Sequence, residues 1–150
     1  MSQLKEKIRT KKLLLAILLG VFLVIGGCMG MREGAKKGDL NFAVNDYLQS
    51  IRWGLLARAL SYIPQDQQDH FIRVSEKVFD SVSFADIEVR AILPNEEITS
   101  AKVMINVGIY TKDTLKLITV KQVQHWQKIG DHWYIMDPDL EIFLKKLNIN

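Results

Sequence analysis

The order of hydrophobic periods along the chain predicts an α+β fold. Residues 39–83 repeat apolar side chains at steps of three and four, the mark of helices with one buried face. Residues 84–137 alternate apolar and polar side chains with period two, the mark of strands. Helices in one run and strands in the next place two helices against a curved four-stranded antiparallel sheet, with a short C-terminal helix after it. A signal or anchor segment precedes this body.

The first helix starts from Asp39 as its cap. Val44, Leu48, Ile51, Leu55, Ala59 and Tyr62 form its stripe, and Pro64 ends it. Pro64 then suits the first position of a second helix, with Phe71, Ile72, Ser75, Val78, Phe79 and Val82 on its inner side. Four strands follow. Residues 84–93 alternate around Ile87, Val89 and Ala91, and Pro94–Glu97 turns the chain. Residues 100–110 set Ala101, Val103, Ile105, Val107 and Ile109 on one face. Lys102, Met104, Asn106, Gly108 and Tyr110 take the other. A turn at residues 111–114 leads to a long strand over 115–128, whose alternation slips near Leu117–Ile118 and predicts a bulge there. Ile129-Gly130-Asp131 makes a tight hairpin into a strand over 132–137. Asp137 and Pro138 open the final helix, whose stripe is Leu140, Phe143, Leu144 and Leu147.

Upstream of this body, residues 1–12 hold five bases against one acid, and residues 13–31 carry no charge. A charged start, an apolar stretch and small residues before Cys28 have the layout of a secretory signal, residues 1–27. Ile25-Gly26-Gly27-Cys28 resembles the bacterial lipobox. That resemblance implies cleavage between Gly27 and Cys28 and lipidation of Cys28. The alternative is an uncleaved membrane span over residues 13–31, at the short end of what crosses a bilayer. Either way the basic end stays inside and the body is exported. Residues 28–38, with three glycines and mixed charge, read as a flexible tether; residues 39–150 form the domain. Met29 rather than Asp after the Cys favours the outer membrane over the inner, by resemblance to enteric lipoproteins.

With the basic leader set aside, the remaining residues carry 15 bases and 16 acids. No global charge argues for nucleic acid. A single Cys excludes an intrachain disulfide framework. Gly-rich phosphate loops, nucleophile elbows and metal-ligand spacings are absent as recognisable motifs, so no catalytic residue, cofactor or metal is assigned. The three histidines each have a plainer role. His70 belongs on a polar helix face, and odd separation puts His125 and His132 on opposite sides of their hairpin.

The element order, with Val123-x-His125-Trp126 and Gly130-x-His132-Trp133-Tyr134-Ile135 in the closing hairpin, resembles the nuclear-transport-factor-2-like superfamily. It is similar in particular to small bacterial lipoproteins that carry such a domain. The resemblance implies a cone with an internal pocket. Tyr47, Trp53, Met104, Tyr110, Trp126 and Trp133 are its candidate lining, with Trp126 facing Trp133 across the hairpin. Asp46, Asp80 and Asp86 are pocket acids by type only. The function expected is a membrane-anchored envelope lipoprotein that faces the periplasm and binds a partner protein or a small apolar ligand without catalysis. The rivals are an isomerase- or cyclase-like envelope enzyme and a single-pass component of a secretion machine. The superfamily also implies a homodimer through the open sheet face.

Overall fold

The computed structural model describes residues 27–111 and 116–148, with side chains from residue 34 onward. All of the expected signal segment but Gly27, and all but the last residues of the alternative span, lie outside the described residues, as does most of the turn over 111–114. Among the described residues no helix is long and apolar enough to cross a membrane. The chain divides into two compact units, Met1–Gly38 and Asp39–Asn150.

In the first unit the described residues are helical, as the opening turns of α1 (Gly27–Arg52). The stretch read above as a flexible tether is therefore helix. Ala35, Lys36, Lys37 and Arg32 are good helix formers, and single glycines lower helix stability by only about 1 kcal/mol each. Asp39 sits within the helix and does not cap it.

In the second unit, α1 buries Leu40, Val44, Tyr47, Leu48 and Ile51. The helix expected to run on to Tyr62 stops at Arg52. Gly54 adopts a φ of 65° there, a left-handed turn that only glycine takes at no steric cost. A short α2 (Leu56–Leu60) follows. Pro64 precedes a single 3₁₀ turn at Gln65–Gln67, and α3 runs Gln68–Ser81 with Phe71, Val74, Ser75 and Val78 buried.

The sheet is a meander of β1 (Val82–Pro94), β2 (Ser100–Thr111), β3 (Ile118–Ile129) and β4 (His132–Ile135), in that order and antiparallel throughout. β2 shows its expected inner face of Ala101, Val103, Ile105, Val107 and Ile109, all buried. The bulge expected at the start of β3 is absent, because β2 and β3 pair without interruption from Ile109↔Ile118 to Ser100↔Gln127. Two irregularities fall instead in β1, between Phe84 and Asp86 and between Val89 and Ala91. They bend this edge strand, and the Arg52 guanidinium donates to the carbonyl of Ala85 at 2.8 Å beside the first of them.

The β1–β2 turn is tied by Asn95, whose Oδ1 accepts from the backbone N–H of Thr99 and of Ser100 at 2.8 and 3.0 Å. Those bonds hold Ile98 at a φ of 54°, rare for a β-branched residue, while its side chain is buried as an apolar plug. At the last hairpin Ile129 pairs with His132, so the two turn residues are Gly130 and Asp131, and Gly130 supplies the positive φ. α4 (Glu141–Lys146) closes the chain. Leu140 is its N-cap residue, and Asp139 Oδ1, rather than Asp137, accepts from the Ile142 N–H in its first turn.

Candidate functional site

Among the described residues the interior is closely packed. Tyr47, Trp126 and Trp133 are 1%, 1% and 2% exposed. Tyr47, Tyr62 and Trp126 meet edge to face, with ring centroids 5.6–6.3 Å apart. A cavity between α1 and the sheet, lined in part by Tyr47, Ile51, Val107, Gln124 and Phe143, is about 10 Å³, room for about one water. The six residues expected to line a pocket do not converge. Trp53 is 66% exposed at the end of α1, held by its indole N–H on Gln49 Oε1. Met104 is 44% exposed, and it points with the half-buried Tyr110 from the opposite side of β2. Trp126 and Trp133 both bury against the core, but Trp126 pairs with Ile135 and Trp133 with Lys128. The cross-strand Trp pair required Ile129 and Gly130 as the turn; Gly130 and Asp131 form it instead.

A polar thread runs through this interior. Gln122 and Gln124 occupy inward positions of β3 and are buried. Trp126 Nε1 donates to Gln124 Oε1 and Gln124 Nε2 to Gln122 Oε1, both at 3.2 Å. Gln122 Nε2 then donates to the Asp139 carbonyl at 2.7 Å. Each buried amide is thereby answered, as low-dielectric surroundings demand. Trp133 Nε1 has no such partner.

Of the three acids named above, Asp46 lies between two partners. Arg58 grips its carboxylate through Nε and Nη2, and the Tyr62 hydroxyl donates to Oδ2 at 2.8 Å. Burial pushes the Asp46 carboxyl up, but the bonds from Arg58 and Tyr62 and the Arg58 charge outweigh it, so it sits below the usual carboxylate range. Tyr62 is pushed up to about 12, by burial first and then by the same carboxylate. Burial alone raises the Tyr47 phenol. This arrangement keeps Asp46 ionised and fastens the end of α2 to α1. Asp86 lies over Gly108 on the outer face of the sheet, and Asp80 lies on α3.

The histidines stay apart. His132 bonds through Nε2 to the Ser61 carbonyl at 2.8 Å and stacks on Tyr62, while His125 is on the exposed face of β3 and His70 on α3. No group of three or more His, Cys, Asp or Glu among the described residues is placed to hold a metal ion.

The surface with the composition of a docking site is the outer face of the sheet. Register carries Ala91, Met104 and Val123 across three strands in one row. The next row places Leu93, Lys102 and His125 side by side, and these line a shallow hollow of about 360 Å³ with Gln127. On the other side the row is Glu88, Asn106 and Lys121. Leu93, Met104 and Val123 are each about half exposed, and among the described residues no helix covers this side. An apolar band between charged rows is the anatomy of a binding patch. The period-two alternation marked Met104 as outward. What it left undetected is the alignment of Ala91 with Met104 and of Leu93 with Lys102, which depends on the irregularities in β1.

No known family profile matches the chain, and no curated protein sequence is similar to it. Several solved chains share its fold, two of them as follows. A protein of unknown function with a cystatin-like fold from Nostoc punctiforme superposes with a TM-score of 0.51 at 11% identity, over 71% of this chain and 94% of its own. A SEC-C motif containing protein from Rhodopseudomonas palustris superposes with a TM-score of 0.51 at 10% identity, over 59% of this chain and 67% of its own. At such identities the likeness shows fold alone. The domain is a cystatin-like α+β fold.

Proposed function

We propose that this protein is a lipoprotein of the cell envelope, anchored through Cys28, whose domain docks a partner protein on the outer face of its sheet without catalysis. It faces the periplasm, from the outer membrane rather than the inner. The observation that carries the docking reading is the row Ala91–Met104–Val123 with Leu93 beside it, exposed on one side of a domain whose interior is closed. A filled core supports a partner over an interior apolar ligand. The lipobox-like residues ending at Cys28 support the anchor. Tethering holds the patch near one leaflet and raises its effective concentration for a partner in the same membrane.

The anchor is tested by palmitate labelling of the full chain and mass spectrometry of its mature N-terminus. An acylated Cys28 at the start is expected, with no label in Cys28→Ser. A native chain that keeps residues 1–27 and no acyl mass overturns the lipid and favours the membrane-span reading. The surface is tested by photocrosslinking from positions 104 and 123, with position 76 on α3 as control. Adducts from the sheet positions alone are expected, and equal adducts from all three overturn the docking face. Light scattering separates a second copy on this face, the homodimer, from a different protein.

A further inference from the structure

Away from the sheet face, a cleft of about 720 Å³ opens between α3 and α4. Its α3 wall is built by helical spacing. His70, Arg73, Val74 and Lys77 fall at steps of three, one and three on one side of the helix. Phe71, Val74, Ser75 and Val78 are turned into the core, which fixes the helix about its axis and leaves His70, Arg73 and Lys77 along the rim. The facing wall is Glu141, Leu144 and Lys145. Val74 and the half-buried Leu144 make an apolar floor.

The charges are not evenly answered. Lys145 pairs with Glu141 at 3.2 Å, four residues apart on α4. Arg73 and Lys77 form no ion pair or hydrogen bond with any described residue, so two free cations overhang the floor, with Asp80 one turn further on. Past His70 the groove continues into a second cleft of about 620 Å³ lined by Asp66, Asp137 and Asp139, which repels an anion and confines it to the Arg73–Lys77 end. Two cations are too few for a nucleic-acid track, and no Phe, Tyr or Trp among the described residues lines this cleft as a stacking platform. A neutral apolar molecule would leave both cations unanswered. A guanidinium fork beside an ammonium suits the oxygens of a phosphate or carboxylate, and the floor suits a few methylenes.

We propose that the α3–α4 cleft binds a small amphiphilic anion, its phosphate or carboxylate on Arg73 and Lys77 and the start of its alkyl chain along Val74 and Leu144. The headgroup comes from a membrane lipid or from a free molecule; the chemistry is the same.

The test follows methyl resonances of Val74 and Leu144 in the full chain, held in a neutral detergent, during titration with octyl phosphate. Saturable shifts at both are expected. Octyl glucoside, with the same tail and no charge, should leave them in place. Arg73→Ala with Lys77→Ala should weaken binding by roughly tenfold or more, about 1.4 kcal/mol per decade. Both residues are exposed, so the variant should keep its fold, checked by unchanged resonances of the buried Ile105 and Ile109. Vesicles containing anionic lipid that compete with octyl phosphate identify the lipid source, and vesicles that do not compete identify a free ligand. Either result upholds the site. Absence of saturation with both octyl phosphate and anionic vesicles overturns it, as does equal affinity in the double variant.

Discussion

Replacing Gln124 by Leu asks what the polar thread in the core contributes. The two side chains have similar volume, so little cavity forms at this 2% exposed position. The substitution deletes the acceptor for Trp126 Nε1 and the donor to Gln122 Oε1. An orphaned buried polar group costs about 1–3 kcal/mol, and both bonds are long at 3.2 Å, which favours the lower half of that range. Two orphans therefore cost about 2–4 kcal/mol, offset by about 1 kcal/mol because an apolar group replaces a buried amide. The net expectation is a loss of about 1–3 kcal/mol. The decisive measurement repeats the substitution in a Trp126→Phe background, which already lacks the indole donor. There only Gln122 is orphaned, so the cost of Gln124→Leu should fall by about 1–2 kcal/mol. Urea unfolding of the full chain in neutral detergent, read as a midpoint shift at constant slope, measures both. An unchanged or raised stability in Gln124→Leu, or the same loss in both backgrounds, would refute the reasoning.

Other outcomes follow from the same structure. Trp126→Phe should destabilise by about 1–3 kcal/mol more than Trp133→Phe, because the first strands the Gln124 amide while the second removes an indole N–H that is already unpartnered; comparing the two urea midpoints decides it. Because Tyr62 is raised from 10.0 to about 12 in the folded state, its neutral form contributes stability that is complete below pH 10 and lost as pH rises toward 12. The lowered Asp46 acts in the opposite direction, contributing above its ordinary value of 3.8 and failing as acid titrates the folded carboxyl. Tyr62→Phe should flatten the alkaline limb of a stability–pH curve, with tyrosinate absorbance as the direct check. Asn95→Ala removes the acceptor of two backbone N–H groups in the β1–β2 turn, and a loss of about 1–2 kcal/mol is expected by thermal or urea unfolding.

Much of the domain was legible where one physical rule acted alone. The faces of β2 follow from strict alternation, and the buried stripes of α1 and α3 from helical spacing. Legibility failed where two rules competed. Gly54 is one weak breaker inside a strong apolar stripe, so the pattern hid the turn at residues 53–54. Leu117 is exposed beside Ile118, which packs on the core, and these adjacent apolar side chains made β3 look slipped where its pairing is regular. The opposition of Trp126 and Trp133 depended on which two residues turn the last hairpin, a choice that Gly130 allows in two ways. The expected pocket was beyond the reach of pattern altogether. Whether a cone is hollow depends on how Tyr47 and Trp126 fill it, a matter of volume in three dimensions.

The two irregularities in β1 and the guanidinium on its first bend have a consequence for crowding. A straight, unguarded outer strand invites another chain to zip onto it, and repetition of that step grows fibrils. Here the ladder is out of step at two places, and Arg52 occupies an acceptor that an incoming strand would need. Copies at high density can thus lie shoulder to shoulder without polymerising through the β1 border.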